Sequence, residues 1–185
     1  MRTVASHRPG CALALPLVML IYDMNVKRDF TATTVVVHRR KVLLHHHRKL
    51  GLLLPLGGHI EPDELPDDAA LREVREESGF RVTLHEPSPL WPLTDVRQLA
   101  RPVAVLLEDI GPNHQHVDLI YLATLADESE YPAGSGTEEL VWLTAEEVEL
   151  MEMPENVRAL CRYALAVLSG SDLNDLLLQD GPRLA

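Results

Sequence analysis

The stretch from Gly57 to Phe80, GGHIEPDELPDDAALREVREESGF, constrains the fold of this chain more than any other. Two consecutive glycines break an apolar run, a loop with Pro62, Asp63 and Pro66 follows, and Gly79 closes the segment. Proline suits the first turn of a helix, where its missing N–H is no loss, and glycine suits the left-handed position just past a helix end. The pattern predicts a helix from about Asp67 to Ser78. With Arg72 set at zero and about 100° per residue, Glu76 falls at about 40°, Glu73 at about 100° and Glu77 at about 140°. Ala70, Val74 and Leu71 fall from about 160° to about 260°, an apolar side suited to packing on a sheet. The adjoining edge gathers three carboxylates beside one guanidinium.

Carboxylates that close repel one another unless a cation offsets them. Arg72 can pair with Glu76 at i,i+4, which leaves the other two uncompensated. Read alone, the edge is either a solvated acidic face or a seat for a hard divalent ion, Mg2+ or Mn2+, whose preferred ligands are oxygens.

Around this helix the chain reads as strands and helices in alternation. Phe30 to His38 is rich in β-branched residues, and Val42 to His47 follows a polar turn at Arg39-Arg40-Lys41, so the two form a hairpin. Arg81 to His85, Pro102 to Leu107, Val117 to Thr124 and Leu140 to Leu143 are strand-like, with a proline-bearing loop between Pro87 and Arg101. Ala145 to Met151 and Glu155 to Leu168 read as helices, the second started by Pro154 and ended near Gly170. Such interleaving indicates an α/β domain with helices on both sides of a mixed sheet.

At 185 residues the chain suits one domain with a real core. Its formal net charge of −11 repels nucleic-acid backbones, so a duplex-binding role is excluded, while a small anionic substrate can bind where cations neutralise it locally. Cys11 and Cys161 are the two cysteines, and neither a CxxC pair nor a zinc spacing occurs, which fits a reducing, cytoplasmic setting. The apolar run from Cys11 to Tyr22 is too short to span a bilayer as a helix, is interrupted by Pro16, and lacks a cleavage site of the secretory kind. No membrane role follows, and the domain is expected to start near Met24. Residues 1–25 then form an N-terminal extension, 26–168 the domain and 169–185 a tail.

Gly58, Glu64, Arg72, Glu73, Val74, Glu76, Glu77, Gly79 and Phe80 read together as G-x5-E-x7-R-E-(apolar)-x-E-E-x-G-(apolar). This pattern resembles the Nudix (MutT-like) box at every defining position. The preceding Leu54-Pro-Leu-Gly-Gly-His-Ile-Glu61 is similar to the loop that enters that box, except that Leu56 stands where a small residue or proline is common. The resemblance implies a Nudix-like α/β/α sandwich with a mixed β-sheet between helices. It further implies a metal-dependent nucleotide pyrophosphohydrolase that cleaves the diphosphate linkage of a nucleoside diphosphate joined to another group. Nucleoside triphosphates, oxidised nucleotides, dinucleoside polyphosphates and nucleotide sugars all belong to that class.

Residue by residue, the resemblance implies Glu76 and Glu77 as principal metal ligands, with the backbone carbonyl of Gly57 completing the set. Glu73 would hold a further metal or take a proton from water, Arg72 would orient the carboxylates, and Glu64 and Gly79 would hold loop and helix geometry. A last acidic ligand would come from Glu138 or Glu139, with Glu138 preferred. The implied cofactor is Mg2+, or Mn2+ in its place, the implied partner is a small nucleotide, and homodimers are common among similar proteins.

Other features point less sharply. Arg48 and Lys49, just before the glycine loop, could meet phosphates or simply be solvated. His45 and His47 share a strand face, and His114, His116 and Asp118 would share one if their strand starts early enough. A second metal or substrate site and a merely polar sheet face both fit these histidines. Trp91, Trp142 and Tyr121 could stack on a base or pack in the core. A nucleotide-sensing module without catalysis is the alternative function, against which the three intact glutamates speak. A diphosphate isomerase would need a cysteine at the site, and both cysteines fall outside it.

Overall fold

In the computed structural model, residues 26–86, 91–127 and 139–170 are described. The expectations for residues 1–25, including a start near Met24, and for the tail beyond 170 lie outside them, as does Glu138. At the centre runs β1 (Lys27–His38), joined to β2 (Lys41–His47) by the tight turn at Arg39 and Arg40. Both turn residues have positive φ, 48° and 61°, the backbone a two-residue hairpin needs to match the strand twist. The apolar stretch after β2 divides into β3 (Leu52–Leu54), paired with β2, and β4 (Leu56–His59), paired antiparallel with β1.

Helix α1 (Pro66–Ser78) follows, then β5 (Val82–Leu84), β6 (Ala104–Gly111) and β7 (His114–Leu125). Strand β7 lies parallel to β1 and is flanked by β5 and β6, both antiparallel to it. Then β8 (Glu139–Leu143) pairs antiparallel with β2, and α2 (Ala145–Leu150) and α3 (Glu155–Ser169) close the described chain. The result is a mixed sheet between helices, as the sequence indicates.

Alternation along β1 decides what faces what. Val36, with Leu43 of β2 and Leu56 of β4, packs under Val74 of α1, and the Thr34 hydroxyl donates to the Ala70 carbonyl at 3.5 Å. Val35 and Val37 face the other way and pack with Val157, Cys161 and Ala164 of α3. Helix α1 therefore covers one face of the sheet and α3 the other. It starts at Pro66 without a side-chain cap and ends at Gly79, whose φ of 79° lets its N–H close on the Arg75 carbonyl. Helix α2 begins with a reciprocal capping box between Thr144 and Glu147.

Two differences from the sequence reading are instructive. The helical wheel puts Leu71 on the packed side of α1, yet it is 38% exposed, because the buried arc centres on Ala70 and Val74 and Leu71 lies at its rim. Strands β1, β6 and β7 also run past their apolar stretches: β1 begins at Lys27, β6 continues to Gly111, and β7 begins at His114. The parallel ladder pairs Lys27 with His114 and Asp29 with His116, so backbone hydrogen bonds carry the sheet beyond its core into a polar end.

Candidate active site

The carboxylate edge of α1 meets β4 at its glycine pair. A Cβ at Gly58 would overlap the Glu73 carboxylate, so any larger residue there pushes that side chain aside. A Cβ on Gly57 would stand 2.5 Å from the Ala32 carbonyl oxygen of β1. The backbone can thus come close enough for the Gly57 N–H to donate to Glu77 Oε2 at 3.0 Å. On the other side of that carboxylate, Nδ1 of the buried His45 lies 3.9 Å from Glu77 Oε1. The sequence showed that His45 faces with His47, and their rings are 5.8 Å apart, but not that His45 meets a glutamate 32 positions later.

Arg72 does more than pair with Glu76: the expectation that it leaves the other two carboxylates uncompensated is corrected for Glu73, which it also holds, and not for Glu77. Its Nε and Nη2 donate to the two oxygens of Glu64 at 2.7 and 2.9 Å, a two-pronged contact of the strong kind. Its Nη1 donates to Glu73 at 2.7 Å and to Glu76 at 3.1 Å, and Nη2 also reaches the His59 carbonyl at 3.0 Å. Glu64 in turn accepts the Glu61 N–H at 3.2 Å, which fixes the loop before α1. Helical periodicity could not reveal this pairing, because Glu64 sits in the loop and folds back over the first turns. The guanidinium holds the Glu64 carboxyl below the usual carboxylate range, and the glutamates hold Arg72 firmly charged.

One guanidinium facing the carboxylates of Glu64, Glu73 and Glu76 leaves a surplus of negative charge at this edge. The donors nearby are mainly oxygens, the glutamate side chains and the backbone of Gly57, with the His45 imidazole behind Glu77. That is the donor set a hard divalent cation takes, and the space left by Gly58 lets a carboxylate lie against the strand, so the residues fit such an ion.

The remaining expected residues scatter. Arg48 and Lys49 are exposed in the turn between β2 and β3. Tyr121 is buried in the core, where burial pushes its phenol up to about 12, and Trp142 packs on Phe80 with ring centroids 5.9 Å apart. Trp91 is exposed. Cys161 is buried on the face of α3 that packs on the sheet, its thiol pushed up to about 12 by burial, which fits packing and not nucleophilic chemistry.

Strand β7 does begin early enough for His114, His116 and Asp118 to share a face. Asp118 nevertheless stands apart, its two oxygens accepting from the hydroxyls of Thr31 and Thr33 at 2.8 Å each. Its place beside the histidines is taken by Asp29 of β1, whose Oδ2 lies 2.8 Å from His114 Nε2. Asp29, His114 and His116 offer ligand atoms all within 4.8 Å of one another.

Comparison with known proteins adds four findings. The family model described as the NUDIX domain matches residues 27–163. A protein of Lactococcus lactis subsp. cremoris, described as a probable DHNTP pyrophosphohydrolase, is 34% identical over 112 residues. That match covers 60% of this chain and 58% of the relative, so it spans little more than half of the relative's length. The crystal structure of a NUDIX-family hydrolase from Clostridium perfringens is 34% identical, with a TM-score of 0.64 over 77% of this chain and 99% of that one. A MutT NUDIX hydrolase from Burkholderia pseudomallei shares the fold, with a TM-score of 0.52 over 75% of this chain and 96% of that one at 19% identity.

Proposed function

We propose, from the premise that the chain belongs to the NUDIX family, that it is a metal-dependent pyrophosphohydrolase cutting the diphosphate linkage of a nucleotide-like compound. The observation that carries this reading is the junction of α1 with β4, where the Glu73 carboxylate lies in the space left by Gly58 and Glu77 holds the Gly57 amide. DHNTP, named for the Lactococcus relative, joins nucleoside triphosphates, oxidised nucleotides, dinucleoside polyphosphates and nucleotide sugars as a candidate substrate.

A diphosphate repels an attacking anion, so charge must be offset before water can reach phosphorus. Mg2+ or Mn2+, held by Glu73, Glu76, Glu77 and the Gly57 carbonyl with Glu138 as a last ligand, would supply that neutralisation and activate the water. Glu73 is the carboxylate assigned to accept the proton, because Arg72 and the Gly58 gap fix its position. Arg72 orients Glu73 and Glu76, and Glu64 orients Arg72 through both of its oxygens. Arg48 and Lys49, exposed in the turn before β3, are the side chains assigned to outer phosphate oxygens.

The test is a panel of those compounds incubated with Mg2+ or Mn2+ at mildly alkaline pH, with products identified by mass. At least one compound should yield two phosphorylated products, and Glu77→Gln should lose that activity while keeping the far-ultraviolet spectrum of the wild type. If no compound is cleaved by the metal-supplied wild type, the hydrolase reading fails and a nucleotide-sensing module takes its place.

A further inference from the structure

We propose a second metal site on the other face of the sheet, in which Asp29, His114 and His116, with His59 as fourth donor, bind Zn2+ or a similar borderline cation. The face follows from the strand alternation. Asp29 and Thr31 point to the side of Val35 and Val37, away from α1, and the ladder places His116 opposite Asp29 and His59 opposite Thr31. Three strands therefore converge their polar side chains at the sheet end where β1 and β7 outrun the core.

The local geometry is close to a coordination shell. Asp29, His114 and His116 hold their ligand atoms within 4.8 Å of one another. Ligands of a tetrahedral zinc lie about 2.0–2.1 Å from the ion and so about 3.4 Å apart, which side-chain shifts of about 1 Å would reach. His59 Nε2 is 3.8 Å from Asp29 Oδ2, and its ring centroid is 5.0 Å from that of His116. The His114 and His116 rings are 5.3 Å apart.

A second observation points to a ligand. His116 Nε2 is shielded from solvent and has no hydrogen-bond partner among the described residues, a costly state for a ring nitrogen that a metal would relieve. The competing cation is Lys27, whose ammonium donates to Asp29 at 2.6 Å but whose side chain is 67% exposed and can swing into water.

Imidazole with one carboxylate selects Zn2+, Co2+ or Ni2+ over Mg2+, the reverse of the carboxylate-rich edge on α1. An ion here would tie the end of β4 to β1 and β7. Since the His59 carbonyl accepts from Arg72, it would brace the strand that carries Gly57 and Gly58.

The test uses the whole protein in excess Mg2+, which occupies oxygen-only sites, titrated with Co2+ and read by visible absorption. Nitrogen-ligated cobalt of low coordination number absorbs far more strongly than the all-oxygen octahedral ion. The wild type should take up about one equivalent with strong absorption that Zn2+ then displaces. His114→Ala, His116→Ala and Asp29→Asn should each weaken uptake at least tenfold, whereas Glu77→Gln and His47→Gln should retain it. Asp29→Asn preserves side-chain shape, so it decides the matter should a histidine variant fail to fold. No strong absorption in the wild type overturns the proposal. So does unchanged uptake in the Asp29 and histidine variants, or loss in Glu77→Gln or His47→Gln instead, which would place the ion on the other face.

Discussion

Glu73, Glu76 and Glu77 come together because they share one helix edge within two turns, whereas Asp29, His59, His114 and His116 come together because three strands lie side by side. The first cluster needs the helix to form and one close approach, at Gly58. The second needs the whole sheet in register, since Asp29 and His116 are 87 positions apart in the chain. Their chemistry differs as well. The helix cluster is anionic, steadied by a guanidinium and a backbone amide. The sheet cluster mixes imidazoles with one carboxylate, which Lys27 and His114 hold below the usual carboxylate range. A local cluster declares itself in sequence, and a non-local one waits for the fold.

The largest effect that would break this contrast is expected at Glu77. Glu77→Gln removes one carboxylate of the proposed metal site while keeping the shape that accepts the Gly57 amide, and turnover should fall by about a hundredfold or more. Steady-state rates with saturating Mg2+ check it. Activity within threefold of wild type would move the chemistry off the helix edge and leave the sheet cluster as the stronger candidate.

Gly58→Ala comes next. The added methyl meets the Glu73 carboxylate at a distance no real Cβ tolerates, and the carboxylate is easier to move than the strand. A displacement of about 1 Å in a catalytic group costs up to about a hundredfold, so a tenfold to hundredfold loss in kcat is expected with the thermal midpoint shifted only slightly. A large drop in midpoint with kcat preserved would mean that Gly58 serves the fold and not the positioning of Glu73.

How much was legible beforehand divides along the same line. The α1 edge, its glycine C-cap, the hairpin and the α3 start at Pro154 were all readable, because each rests on residues a few positions apart. Leu71 was misplaced because a helical wheel gives an angle but not how wide an arc the sheet covers. The early start of β7 stays open in the sequence, and the part played by Asp29 is invisible there, for another reason. Lys27, Arg28 and Asp29 are paired by ladder hydrogen bonds, for which polar residues leave no periodic trace. The histidines of β7 raised the question of a site, but their carboxylate partner lay on another strand, and the nearer Asp118 is held instead by two threonines.

Arg72→Lys tests the support beneath the helix edge with a smaller effect. Lysine keeps the charge but cannot span both oxygens of Glu64 while reaching Glu73 and the His59 carbonyl. A loss of about 1–2 kcal/mol in stability is expected, with turnover lowered about tenfold as Glu73 and Glu76 lose their common anchor. Denaturant titration and rates measured on one preparation separate the two. Full activity with reduced stability would confine Arg72 to the loop.

The smallest effect is a pH dependence at Glu64. Its folded-state pKa is depressed by the Arg72 contact from a reference value of 4.5. A depressed carboxyl contributes stability above its unfolded value and loses it as pH falls through the folded one. The wild type should therefore exceed Glu64→Gln by about 1 kcal/mol at pH 6, and the gap should shrink below pH 4.5, closing once Glu64 is protonated in both states. Urea melts of the two proteins at several pH values between 6 and 3 give the difference directly. A gap that stays constant across this range would mean that glutamine loses packing and not charge. Arg72 would then be held in place by Glu73 and Glu76, and the helix edge would be less dependent on its loop than the two-pronged contact implies.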